Sequence, residues 1–232
     1  MLLHLRPPRA PVPRGAACYH GLVVRRIALA AALLALLPLP SPAAGGAEAL
    51  ARKVEERHRG LSDMTARFVQ RYRSGLIGQD VVERGTMSLK RPGRMLWEYR
   101  DPERKTFVSD GDTCWFYVPA DRQVIVRRQA GDRGVALDLL SGRLDLLGRF
   151  EAGIETTAAG RERLRLVPRQ PDPDVAAVYL DVDAAGRILA IEILDTQENR
   201  SLFRFENVRE NVGLPDSLFR FEVPKGVEVV TG

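Results

Sequence analysis

From residue 65 almost to the end of the chain, apolar and polar residues alternate with a period of two, in short runs cut apart by turn-forming residues. A period of two puts successive side chains on opposite faces of an extended strand, so this is the pattern of half-buried β-strands. The runs fall at 65–73, 81–90, 95–99, 105–109, 114–118 and 123–128, then at 150–157, 161–167, 178–182, 188–194 and 202–208, with a last short segment at 219–223. Between them stand Ser74-Gly75, Arg91-Pro92-Gly93, Asp101-Pro102, Asp110-Gly111-Asp112 and Pro119-Ala120-Asp121. Connections this short join antiparallel neighbours, since a parallel pair needs a long crossover.

Two segments break the alternation. From Glu48 to Arg59, Leu50 and Val54 recur at helical spacing among charged residues, with His58 and Leu61 continuing the stripe less clearly, which predicts one amphipathic helix. Between 135 and 150, Val135, Leu137, Leu139, Leu140, Leu144, Leu146 and Leu147 are too dense for a half-buried strand and predict short apolar helices. About eleven strands in one sheet curl or close on themselves, so the expected fold is mainly β with helical insertions. The economical form is an incomplete, half-open antiparallel β-barrel, lidded by the N-terminal helix and the central helical insert. No linker divides the strands, so residues 48–232 read as a single domain.

The faces of the early strands differ in kind. Met87 and Leu89 share one face with Arg91, while Arg84, Thr86, Ser88 and Lys90 take the other. In the next strand Met95, Trp97 and Tyr99 fall together. One face is a wall of large apolar side chains with an arginine at its end.

The first 47 residues follow another rule. Arg25-Arg26 precede an unbroken apolar run, 27–37, followed by prolines and then the small residues 43–47. Eleven apolar residues are about half the roughly 20 that span a bilayer as a helix, and the flanks match a secretory signal peptide. A start at Val24 would make that signal more compact. The segment holds five arginines and no acid, so the other 185 residues carry 30 basic against 30 acidic groups. The sequence pI of about 9.5 therefore reflects the leader, and a nucleic-acid partner is not expected. After its removal Cys114 is the one cysteine left, and 41–47 offers no cysteine for lipid attachment, so the expectation is a soluble periplasmic protein.

Reactive centres are scarce. Cys114 and His58 could form a thiol dyad, but Cys114 opens an apolar strand and reads better as a small core residue. Asp181, Asp183, Gly186 and Glu192 approach a calcium-loop spacing, but strands rather than helices flank them, which favours a hairpin turn. Asp110 and Asp112 form a turn before they form an acid pair. Neither an enzyme, nor a metal site, nor a cofactor is expected; a container for an apolar ligand is.

The ordered series Phe68-Val-Gln70, Lys90-Arg91-Pro92-Gly93-Arg-Met95-Leu-Trp97-Glu-Tyr99, Asp101-Pro102, Val108-Ser109-Asp110-Gly111, Trp115-Phe-Tyr117 and Pro119 resembles the outer-membrane lipoprotein carrier proteins, the LolA family. Leu139-Leu140-Ser-Gly142 through Phe150, and Phe219-Arg-Phe221-Glu-Val-Pro224-Lys-Gly226-Val227, continue the likeness in order. The resemblance implies a half-barrel whose hydrophobic cavity binds the acyl chains of lipoproteins. It implies an inner-membrane lipoprotein-releasing ABC transporter as the donor, an outer-membrane receptor as the acceptor, and a monomer between them. Phe68, Met87, Leu89, Met95, Trp97, Tyr99, Trp115 and Tyr117 are the expected cavity residues. Leu50, Val54, Leu137, Leu139 and Leu140 are the expected lid, and Arg91 the latch that hydrogen-bonds lid backbone. Two departures stand out: Met95 where relatives often carry Phe, and His58 where an apolar lid residue is expected. The alternative within the same fold is an envelope lipid binder or lipoprotein-sensing regulator, also non-enzymatic.

Overall fold

The computed structural model describes residues 42–128, 138–139 and 145–231. Helix α1 (Pro42–Arg59) leads into β1 (Asp63–Arg73), β2 (Asp80–Lys90), β3 (Arg94–Asp101), β4 (Lys105–Ser109), β5 (Thr113–Val118) and β6 (Gln123–Arg128). A one-turn helix α2 (Leu146–Arg149) precedes β7 (Phe150–Thr156), β8 (Glu162–Pro168), β9 (Ala177–Val182), β10 (Ile188–Leu194) and β11 (Arg200–Glu210). A 3-10 turn (Asp216–Phe219) and β12 (Glu228–Thr231) close the chain.

The twelve strands form one sheet in the order β12-β6-β5-β4-β3-β2-β1-β11-β10-β9-β8-β7. Two meanders, β1 to β6 and β7 to β11, are joined where β1 pairs antiparallel with β11 through a register shift between Thr65 and Arg67. The sheet ends at β12 and β7 and does not close, which gives the half-open form. Two expectations need correction. The segment 219–223 is no strand, because Phe219 ends the 3-10 turn; and β12, which the alternation did not reveal, adds a strand parallel to β6.

Register identifies the inner face. Met64, Leu89 and Met95 lie opposite one another across β1, β2 and β3, as do Ala66, Met87 and Trp97 one step along. In the second meander Ile154, Leu164, Leu180, Ile191 and Phe203 form the corresponding row. Helix α1 lies over this face, nearest β7 and α2, and buries Ala47, Ala51 and Val54 completely. These residues follow a spacing of four and three, so one stripe of the helix meets the sheet. The helix starts at Pro42 rather than at Glu48, and its buried stripe is built mainly from alanines; Leu50 is only partly buried beside it.

The outer face has a smaller core of its own. The 3-10 turn rests on β3 with Phe219 fully buried, and Phe221 packs its ring 6.2 Å from Trp115 and 5.7 Å from Tyr117. Buried Asp63 secures this C-terminal segment by accepting backbone N–H groups of Val212 (2.7 Å), Gly213 (3.1 Å) and Leu214 (3.2 Å). Asp216 pairs with Lys90 (2.6 Å) and Arg94 (2.9 Å) on the same side.

Candidate functional site

A narrow apolar pocket, partly open to solvent, lies between the C-terminal end of α1 and the inner face. Met64, Met87, Leu89, Trp97, Leu139, Ile188, Ile191, Phe205 and Val208 line it, with Arg57, His58, Arg187 and Glu210 at its mouth. Behind this lining lies an aromatic cluster. The Phe68 ring centre is 4.9 Å from those of both Trp97 and Tyr99, and Phe203 stands 5.5 Å from Trp97. The tilted and edge-on arrangements are those that aromatic quadrupoles prefer. At its far end the face turns polar: Tyr99 Oη donates to Gln70 Oε1 (2.8 Å), and Lys105 sits 4.6 Å above the Tyr99 ring while pairing with Glu83 (2.5 Å). Burial, and then the charge of Glu83, push the Tyr99 phenol well above its ordinary range, so it remains a donor.

The structure brings Phe68, Met87, Leu89, Met95, Trp97 and Tyr99 together on the inner face. It separates Trp115 and Tyr117 from them. Trp115 lies opposite Val108, which lies opposite Leu96, and Tyr117 lies opposite Thr106, which lies opposite Glu98. Leu96 and Glu98 alternate with Met95, Trp97 and Tyr99, so both aromatics belong to the outer face, under Phe221. The residues missed by sequence reasoning are Phe203 and Phe205 of β11 with Ile188, Ile191 and Val208. Their alternation is plain in the sequence, but the family-like motifs drew attention to the first meander.

Lid and sheet are tied at several points. Glu55 Oε1 of α1 accepts the backbone N–H of Leu146 (2.6 Å) and Leu147 (3.1 Å), joining α1 to the start of α2. Lys53 of α1 donates to the Ala184 carbonyl in the β9–β10 turn. That turn is the calcium-like segment: Asp183 Oδ1 accepts Ala185 N–H (2.9 Å) and Arg187 N–H (2.8 Å), which closes a hairpin. Asp110 Oδ1 likewise accepts the N–H groups of Asp112 and Thr113. Among the described residues no three His, Cys, Asp or Glu side chains are placed to hold a metal ion. Leu139 is buried against the cavity, whereas Leu137 and Leu140 lie outside the described residues.

The C-terminal end of α1 meets the cavity mouth. Arg57 pairs with Glu210 Oε2 (2.5 Å), and Arg187 Nε donates to Glu210 Oε1 (3.2 Å). His58 is pushed down to about 4, first by burial and then by the charge of Arg91. Arg91 is exposed, lines a small hollow with His58, Leu61 and Asp63, and its backbone N–H donates to the Ser62 carbonyl (2.9 Å). A cation at this place faces the negative end of the helix. Cys114 is buried in β5 opposite Ser109 and Arg127, away from this mouth.

The family model of the outer membrane lipoprotein carrier protein LolA matches residues 59–222. This chain belongs to the LolA family. The outer-membrane lipoprotein carrier protein of Chromohalobacter salexigens is 33% identical over 208 residues, covering 88% of this chain and 95% of the relative. That of Dechloromonas aromatica is 30% identical over 212 residues, covering 90% and 97%. Among solved structures, a LolA superfamily protein from Nitrosomonas europaea aligns with a TM-score of 0.45 at 15% identity, over 75% of this chain and 97% of that one. LolA relatives of this length are named as carriers, and the match runs through both meanders and the aromatic inner face.

Proposed function

We propose that this chain is a periplasmic lipoprotein chaperone, exported by a cleaved signal peptide within residues 1–47, with residues 48–232 as its single working domain. It binds the acyl chains of lipoproteins released from the inner membrane and carries them to the outer membrane. An inner-membrane ABC transporter loads it, an outer-membrane receptor unloads it, and it works as a monomer without cofactor or turnover.

The observation that carries this reading is the small footprint of α1 on a large apolar face. Among its described residues the helix buries two alanines and one valine completely, with Leu50 partly buried beside them, and fully burying a valine is worth roughly 1.5–3 kcal/mol. A buried methylene is worth about 0.8 kcal/mol, so one acyl chain of some fifteen methylenes gains on the order of 12 kcal/mol relative to water. Acyl chains therefore gain more from the inner face than the buried side chains of α1 do, and cargo held there does not escape into water. Release needs a receptor that offers the chains an equally apolar place. In this reading Arg91 at the helix end, with Leu139 and the Glu55 contact to α2, returns the lid when the chains leave.

Native mass spectrometry of residues 48–232 with a triacylated lipopeptide and its unacylated counterpart tests the proposal. Selective one-to-one capture of the acylated form is expected. Equal binding of both, or of neither by a folded protein, contradicts it.

A further inference from the structure

The apolar cavity accounts for alkyl chains, but its mouth is built for something else. Arg57 and Arg187 share the carboxylate of Glu210, and the charge of Asp183 in the β9–β10 turn reaches both of them from farther away. Burial alone would raise Glu210, yet the hydrogen bond and charge of Arg57, joined by those of Arg187, bring it below its ordinary value, so it stays ionised. On the solvent side the same cluster borders Lys53, whose ammonium is engaged by Ala184, and Glu56.

Two atoms of this mouth are buried without a hydrogen-bond partner: Arg57 Nε and His58 Nδ1. The first is always a donor, and a buried donor left unpaired is uncommon enough to call for an explanation. Both residues border the cavity beside Leu139, Ile188 and Val208. An unpaired guanidinium donor thus stands directly at the end of an apolar space.

We propose that this mouth binds the anionic head group of a single-chain amphiphile whose alkyl tail enters the cavity behind it. The shared chemistry is an oxyanion on a long alkyl chain, either the carboxylate of a free fatty acid or the phosphate of a lysophospholipid. A guanidinium offers five N–H donors in a planar fork, and Arg57 and Arg187 spend only part of that set on Glu210. An oxyanion approaching from the cavity side accepts from Arg57 Nε and from the guanidinium donors that Arg187 does not spend on Glu210. The inference rests on the same cavity as the carrier reading, but it adds a second class of ligand and a head-group preference that acyl burial alone does not produce.

The test compares three ligands of equal chain length at pH 7.5: hexadecanoate, hexadecyl phosphate and the uncharged methyl hexadecanoate, with binding to the folded protein read by displacement of a fluorescent apolar probe. Either anion binding at least tenfold more tightly than the ester is expected, with the preference shrinking as salt rises. Within each variant the anion-to-ester ratio is read, so a general loss of packing cancels. Arg187→Gln should bring the ratio towards one, Arg187→Lys should keep part of it, and Glu210→Gln should raise it. Equal affinity for anions and ester overturns the head-group site while leaving the carrier reading intact. Failure of all three ligands to bind, with a triacylated lipopeptide still captured, overturns it as well; failure of the lipopeptide too removes the cavity on which both readings stand.

Discussion

The ring of Phe68 fills the place a side chain would take at Gly85. A methyl group on Gly85 would lie 2.8 Å from Phe68 Cε1 and Cζ and 2.1 Å from the Glu98 carbonyl oxygen. Gly85, in β2, opposes Phe68 of β1 and Tyr99 of β3, so it leaves room for the central ring of the aromatic cluster against the sheet. Gly85→Ala forces that ring and a strand backbone apart, and overpacking of this kind costs about 1–3 kcal/mol. A urea midpoint shift of that size is expected; a change below about 0.5 kcal/mol would mean that Phe68 has room to move.

Glu55 joins the two lid elements through charge-assisted hydrogen bonds to Leu146 and Leu147. Removing a hydrogen bond to a charged group costs about 1.5–3 kcal/mol where both partners are shielded, so Glu55→Ala should lower stability by somewhat less at this part-buried place. The more telling readout is hydrogen exchange. Backbone amides of α1 should exchange faster in Glu55→Ala while those of β1 and β11 stay protected, and uniform exchange across both would argue against a separable lid.

His58 makes stability depend on pH. Its folded pKa lies near 4 against about 6.5 unfolded, so between these values the unfolded chain binds the extra proton. Stability is therefore flat above about pH 6.5 and falls as pH drops towards 4, by up to about 3 kcal/mol. His58→Phe should flatten this slope and let the helix end approach Met64 and Leu89 more closely. Identical pH profiles for parent and variant would remove His58 as the cause.

The two tryptophans report on opposite faces. With Trp115→Phe, the remaining Trp97 should change its emission when an acylated ligand enters; with Trp97→Phe, Trp115 should not respond. Phe221→Ala should instead alter Trp115 emission through the lost ring contact. A lipid response from Trp115 would contradict its place on the outer face.

Alternation made eleven of the strands legible, because a half-buried strand must place apolar residues at every second position. It located β5 but could not assign its faces, because Cys114-Trp115-Phe116-Tyr117-Val118 is apolar on both and the C-terminal segment covers the outer one. It failed at β12, four residues long and mostly exposed. The lid was expected from leucine spacing, but close packing of a helix on a sheet is served by small residues, and Ala47 and Ala51 carry no hydrophobic signal strong enough to stand out. The charged mouth was invisible for another reason: Arg57, Arg187 and Glu210 are distant in sequence, and they meet only when β11 pairs with β10 on one side and with β1 on the other.

The central claim is that acyl chains take the place of α1 on the inner face. Hydrogen exchange of the protein alone and of its one-to-one complex with a triacylated lipopeptide measures this directly. Faster exchange across 47–57, together with unchanged or slower exchange in β1, β3 and β11, is the predicted result. A complex in which α1 stays as protected as before would place the chains elsewhere and contradict the account.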